Sequence, residues 1–231
     1  GTRQRMAIRT ESLDHVALWV ADRDPLADFL CDHLGMHVIE RTDTFTLVGA
    51  DALKGKLTLF AADGPREPGA LRQVVLRVSD LDAALGALPV EAALTDGVAG
   101  FDGPEGLRLG LVESREGVDY DIDHVVLAVP DPDGATEQLA GLGFDAHDGR
   151  LAVADRHVRL ERGAEAEGER PLLNHLALLV DSADDAATEA ERRGAEVLDM
   201  VDAPNTRAAF VWGPARIKLE YVEHKPGFSL T

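Results

Sequence analysis

"YDIDHVVLAVPDPDG", from Tyr120 to Gly134, contains a phrase that the chain uses four times. A hydrophobic residue leads, a polar pair follows, then an alternating apolar stretch, then an acidic turn. The other copies are "LDHVALWVADRDP" from Leu13, "LRQVVLRVSDLDA" from Leu71 and "LNHLALLVDSADD" from Leu173. The second residue of the polar pair falls at His15, Gln73, His124 and His175, at intervals of 58, 51 and 51 residues. A recurrence at such spacing signals repeated structural units.

The last copy shows what one unit contains. "LNHLALLV" alternates as a strand does. "SADDAATEAERRGAEV" reads as a helix: Ser182 caps it, acids sit early, Arg192 and Arg193 sit late, and Gly194 ends it. Three strand candidates follow, "EVLDMVDA", "RAAFVWG" and "ARIKLEYVEH". The third unit repeats the order with "DHVVLAV", a helix "DGATEQLAGLG" stopped by Gly143, then "FDAHDG", "RLAVAD" and "RHVRLERG". The first unit has "DPLADFLCDHLG" as its helix and Gly35 as its stop. The second has a shorter helix near Asp80 to Leu88 and weaker strands. The sequence therefore predicts an α+β chain of four βαβββ units. The stretch "SREGVDY" divides them two and two near residue 117, giving domains 1–117 and 118–231. A charged linker, "GAEAEGERP", separates units three and four and is expected to be exposed.

Composition narrows the function. At 231 residues, 45% hydrophobic and mean hydropathy −0.10, the chain reads as a soluble globular protein. No apolar run approaches the roughly 18 residues of a membrane span. "GTRQRMAIRTESLDH" carries no signal-peptide core. Cys31 is the only cysteine, which excludes an internal disulfide and a cysteine-rich zinc cluster and fits a cytoplasmic location. The net charge is −19, and the lysines are only Lys54, Lys56, Lys218 and Lys225. Such a surface repels nucleic acid and anionic membranes, so the expected partner is a small molecule, with a homo-oligomer left open.

Repeated βαβββ units with a first-strand histidine resemble the vicinal oxygen chelate superfamily. It includes glyoxalase I, methylmalonyl-CoA epimerase, extradiol ring-cleavage dioxygenases and metal-free bleomycin-resistance proteins. The resemblance runs from Leu13 to His224. It implies that units pair into vicinal-oxygen-chelate domains, each a curved sheet around a cup, with ligands from the first and last strands. Matching "VRLE" to "IKLE", the C-terminal pair offers His124, Glu161, His175 and Glu220. The N-terminal pair offers His15, Thr58, Gln73 and Gly110, too poor a set for a metal, so that half reads as a degenerate scaffold. The strand period puts Lys218 and Glu220 on one face, and His157, Arg159 and Glu161 on one face. Two histidines and a carboxylate with open positions suit a divalent metal, Fe(II) foremost, with Mn(II), Ni(II) and Zn(II) as alternatives. His15, with no partner set, is expected to be packed or solvent-facing and not a ligand, and His33, His37, His147 and His224 to lie on the surface.

Within the superfamily the layout resembles the extradiol dioxygenases. "LLNHLALLV" is similar to the strand around their second histidine, and "GPARIKLEY" has their spacing from Pro214 to Glu220. In "ADRHVRLE", the resemblance implies an acid–base role for His157. Phe210 stands where those enzymes carry a tyrosine, Asn205 offers one hydrogen bond, and Arg159 and Lys218 are candidates to meet a substrate anion. If Glu161 joins the metal, four positions are filled and the site fits a glyoxalase- or epimerase-type enediolate reaction instead, with Glu161 or Glu220 as base. A second alternative is a metal-free small-molecule or drug-binding protein.

Overall fold

The structure, a computed structural model, describes residues 7–64, 66–67, 69–165 and 171–230. Residues 166–170 of the charged linker lie outside the described residues. The four expected units are present. Unit one is β1 (Thr10–Val20), α1 (Arg23–His33), β2 (His37–Arg41), β3 (Phe45–Gly49) and β4 (Lys56–Ala61). Unit two is β5 (Leu71–Val78), α2 (Leu81–Gly86), β6 (Ala93–Thr95), β7 (Val98–Asp102) and β8 (Arg108–Glu113). Unit three is β9 (Ile122–Val129), α3 (Pro132–Ala140), β10 (Asp145–His147), β11 (Arg150–Val153) and β12 (Arg156–Arg162). Unit four is β13 (Leu173–Val180), α4 (Ala183–Arg192), β14 (Val197–Asp202), β15 (Thr206–Trp212) and β16 (Lys218–His224).

The acidic turn of the recurring phrase is a helix cap. Asp22, Asp80, Asp131 and Ser182 each accept a hydrogen bond from a backbone N–H of the first turn, at 3.0–3.3 Å. These side chains satisfy donors that the helix itself leaves unpaired.

The strands form two sheets of eight. One has the order β14-β15-β16-β13-β1-β4-β3-β2, the other β10-β11-β12-β9-β5-β8-β7-β6. In each unit the first strand runs parallel to the last, and units meet through antiparallel first strands, β1 with β13 and β5 with β9. Unit one therefore pairs with unit four, and unit two with unit three. This corrects the expected pairing of units in chain order, and the boundary near residue 117 falls inside the second sheet. All four first strands carry the same apolar alternation, so the pattern makes each competent to pair with any other. Arg156 on β12 joins the second sheet to the first. That side chain is 1% exposed and bonds Asp121, the Ser12 hydroxyl and the Leu13 carbonyl on β1. Buried apolar side chains from both sheets and all four helices form one continuous core.

Candidate metal centre

Each first strand skips one residue of its antiparallel register just before its key polar position. Leu13 faces Leu178 and His15 faces Ala177, leaving Asp14 extra. Likewise Asn174 is extra before His175, Asp123 before His124 and Arg72 before Gln73. A bulge places two consecutive side chains on the same side. Hence Leu13, Val16 and Leu18 stay in the core while Asp14 and His15 both leave it. The recurring polar pair is this bulge. Its first member then orients its second. Asp14 Oδ2 lies 2.7 Å from His15 Nδ1, Asp123 Oδ2 lies 2.7 Å from His124 Nδ1, and Asn174 Oδ1 lies 3.0 Å from His175 Nδ1.

In the first sheet three donor atoms converge. Glu220 Oε2 lies 3.0 Å from His15 Nε2 and 3.0 Å from His175 Nε2, and the two nitrogens are 3.3 Å apart. Glu220 and His175 are buried, and the His15 side chain is 13% exposed. Because each Nδ1 faces an oxygen acceptor, it carries the proton, and a neutral ring turns the Nε2 lone pair inward. With both rings neutral, two lone pairs and a carboxylate oxygen converge, which is the donor set of a cation site. Among the described residues Glu220 Oε2 has contact distances to both rings but no aligned hydrogen bond. Donors on adjacent corners of an octahedron with bonds of about 2.1 Å stand about 3.0 Å apart, which matches the separations found. The set fits a divalent transition metal.

The electrostatics agree. Burial alone would lower His15, yet the Glu220 and Asp14 carboxylates raise it to about 9. Burial alone would raise Glu220, yet His15 and His175 hold it down to about 2. Burial keeps His175 below its usual value. In the metal-free protein a proton on His15 thus stands in for the positive charge. Behind it, Asp14 also accepts from Lys56 Nζ at 3.0 Å and His224 Nε2 at 3.1 Å. Although burial opposes this, His15, His224 and Lys56 hold Asp14 well below the usual carboxylate range.

The face around the triad is aromatic. Phe210 lies edge-on to His175 at 5.2 Å, and Phe60 is 6.3 Å from His175 and contacts Trp19 and Phe45. Lys218 lies opposite Trp212 on the adjacent strand, 5.8 Å over its ring, and two residues from Glu220 on the same strand. Thr58, 7% exposed, faces Ala17, which faces His175. A groove of about 890 Å³ lies elsewhere, against α3 and α4, and includes none of the triad.

The sequence-derived ligand set divides between the sheets. His175 and Glu220 are together as expected, but their companion is His15, not His124. His124 is in the second sheet, beside Asp123 and His157. Glu161 is there too, its side chain 55% exposed and 3.8 Å from Arg72 Nε. The match of "VRLE" to "IKLE" slips by two residues: Glu220 faces Ala177, two beyond His175, whereas Arg159 faces Val126, two beyond His124. His157 stacks on His124 at 4.6 Å, and burial together with His124 pushes it down to about 4. Arg159 is exposed on that sheet. Phe210 and Lys218 border the triad, while Asn205 sits in the β14–β15 turn, where its carbonyl accepts from Lys225 N. His224 is not a surface residue but part of the Asp14 cluster. The missed signal was the aspartate before His15, which repeats the Asp123–His124 pair.

Residues 12–89 match the Glyoxalase/Bleomycin resistance protein/Dioxygenase superfamily. The βαβββ architecture of that segment recurs in all four units of the chain. Among solved structures it is similar to a "putative dioxygenase" from Bacillus subtilis, with 17% identity, TM-score 0.77, and coverage of 96% of this chain and 88% of that one. Glyoxalase I from Zea mays is similar at 16% identity and TM-score 0.73, covering 93% and 92%. The cppA protein from Streptococcus pneumoniae follows at 15% identity and TM-score 0.66, covering 94% and 99%. These likenesses describe the fold. Among curated proteins, none matches the sequence significantly. Among the described residues no helix is long and apolar enough to cross a membrane.

Proposed function

We propose that the protein is a metal-dependent enzyme of the extradiol dioxygenase type, acting on an aromatic diol at His15, His175 and Glu220. The observation that carries this is the convergence of two imidazoles and one carboxylate, with Thr58 at the remaining strand position and Glu161 in the other sheet. Three protein ligands leave three positions of an octahedron open, enough for two substrate oxygens and O2. A four-ligand site would leave two, so the glyoxalase-type reading loses the residue it depended on. Ferrous iron in this triad would supply Lewis acidity toward the diol and a binding position for O2.

The chain's own residues do the rest. Asp14 and Asn174 hold protons on the Nδ1 atoms of His15 and His175 and so keep both Nε2 atoms available. Phe60 and Phe210 flank His175 with apolar rings that exclude water and stack against a planar substrate. Lys218, whose pKa burial lowers, offers a cation to an anionic diol at the rim. His157, in the other sheet, takes no part in this reading.

The test is oxygen uptake with catechols after anaerobic loading with Fe(II). The proposal expects stoichiometric O2 consumption with a yellow ring-fission product, abolished in His15→Ala and retained in His124→Ala. Turnover of a hemithioacetal with no oxygen uptake would replace it with the isomerase reading.

A further inference from the structure

The second sheet repeats the scaffold of the triad with a different donor set. Register carries each position across. His15 faces Ala177, which faces Glu220; Gln73 faces Val126, which faces Arg159. His175 faces Ala17, which faces Thr58; His124 faces Val75, which faces Gly110. Gln73, His124 and Arg159 therefore occupy the positions of His15, His175 and Glu220, and Gly110 that of Thr58.

Donor atoms of Asp123, His124 and His157 lie within 4.8 Å of one another, but this set does not suit a cation. Arg159 brings positive charge to the position of the metal-binding carboxylate. Asp123 is already taken by His124 Nδ1 at 2.7 Å and Arg77 at 3.2 Å. The rings of His124 and His157 are parallel within 12°, so their in-plane lone pairs run side by side instead of converging.

The same groups suit an oxyanion that carries a hydroxyl. Arg159 is exposed and has no ion-pair partner among the described residues, in a chain of net charge −19. A guanidinium grips a carboxylate through two parallel hydrogen bonds. His124 is 5% exposed, and its Nε2 has no hydrogen-bond partner among the described residues. With Nδ1–H given to Asp123, that Nε2 accepts a proton donor. Gln73 gives one N–H to the Leu109 carbonyl at 3.1 Å and keeps its amide oxygen and second N–H. Room for this amide comes from Gly100 and Gly110, which face each other. A Cβ on either would come within 3.0 or 2.8 Å of Gln73 Nε2.

We propose that the face of the second sheet carrying Gln73, His124 and Arg159 binds a small hydroxy-carboxylate, its carboxylate on Arg159 and its hydroxyl donating to the buried His124 Nε2. This site is separate from the metal centre and does not depend on it. The test titrates EDTA-treated protein with glycolate and with acetate, following the histidine ring resonances by NMR. Glycolate is expected to bind saturably, several-fold tighter than acetate, and to shift His124 and His157. Arg159→Gln, at an exposed position, weakens glycolate binding about tenfold or more. His124→Ala removes the preference for glycolate over acetate, and His15→Ala leaves both affinities unchanged. The proposal is overturned if glycolate leaves the His124 and His157 resonances unmoved, or if Arg159→Gln binds as the parent does. It is equally overturned if manganese titration reveals a second ion per chain that His124→Ala abolishes.

Discussion

Replacing Asp14 by Asn tests how the protein prepares the first-sheet triad. Asp14 is 3% exposed and serves three donors: His15 Nδ1 at 2.7 Å, Lys56 Nζ at 3.0 Å and His224 Nε2 at 3.1 Å. An asparagine keeps the shape, loses the charge and turns one acceptor into a donor. Two separable losses follow. The Lys56 ammonium, its side chain 4% exposed, is left without a counter-charge, which costs about 3 kcal/mol of folding stability. His15 loses the carboxylate that fixes its tautomer and ring orientation. Loss of such a partner lowers metal affinity by about 10- to 100-fold, or about 1.4–2.8 kcal/mol. Urea denaturation of the metal-free protein reads the first, and calorimetric titration with Mn(II) reads the second. The double variant Asp14→Asn/Lys56→Met removes the stranded ammonium. It recovers most of the stability but none of the affinity. Parental manganese affinity in the double variant would mean instead that Asp14 serves Lys56 alone and does not prepare His15 for the metal.

Four further outcomes are expected. Arg156→Met leaves the Asp121 carboxylate buried and unpaired, costing about 3–5 kcal/mol in denaturant unfolding, and adding Asp121→Asn recovers much of it. Metal binding at pH 7.5 releases close to one proton, because His15 is raised to about 9 in the metal-free fold; titration in buffers of different ionisation enthalpy counts it. The same raised value stabilises the metal-free fold fully below about pH 6.5, an increment lost as pH rises through about 9. His157 is depressed to about 4, so its neutral form favours folding above about pH 6.5, and that increment disappears as pH falls through about 4. His157→Gln removes this acid-side slope, about 1 kcal/mol after allowance for solvent screening, as measured by chemical unfolding at pH 7 and pH 4.5.

Much of the fold is readable from the sequence because its determinants are local. Seven residues after each key polar position stands the capping side chain, Asp22, Asp80, Asp131 or Ser182, and alternation marks each first strand. The site is only half readable. His175 and Glu220 belong to one unit and neighbouring strands, so the unit pattern brings them together. His15 is 160 residues from His175, and their meeting depends on unit one pairing with unit four, which four similar first strands do not specify. Glu161 misled because sequence similarity aligned strand ends, whereas ladder register, invisible in sequence, aligns Arg159 with Glu220. A slip of two residues preserves the face but moves a side chain about 6–7 Å along the strand.

On the proposed reading, one divalent ion is held by His15, His175 and Glu220. Metal analysis of His15→Ala and His124→Ala, each reconstituted anaerobically with Fe(II) beside the parent, tests it most directly. One ion per chain is expected in the parent and in His124→Ala, and almost none in His15→Ala. Metal retained without His15, or lost with His124, would contradict it.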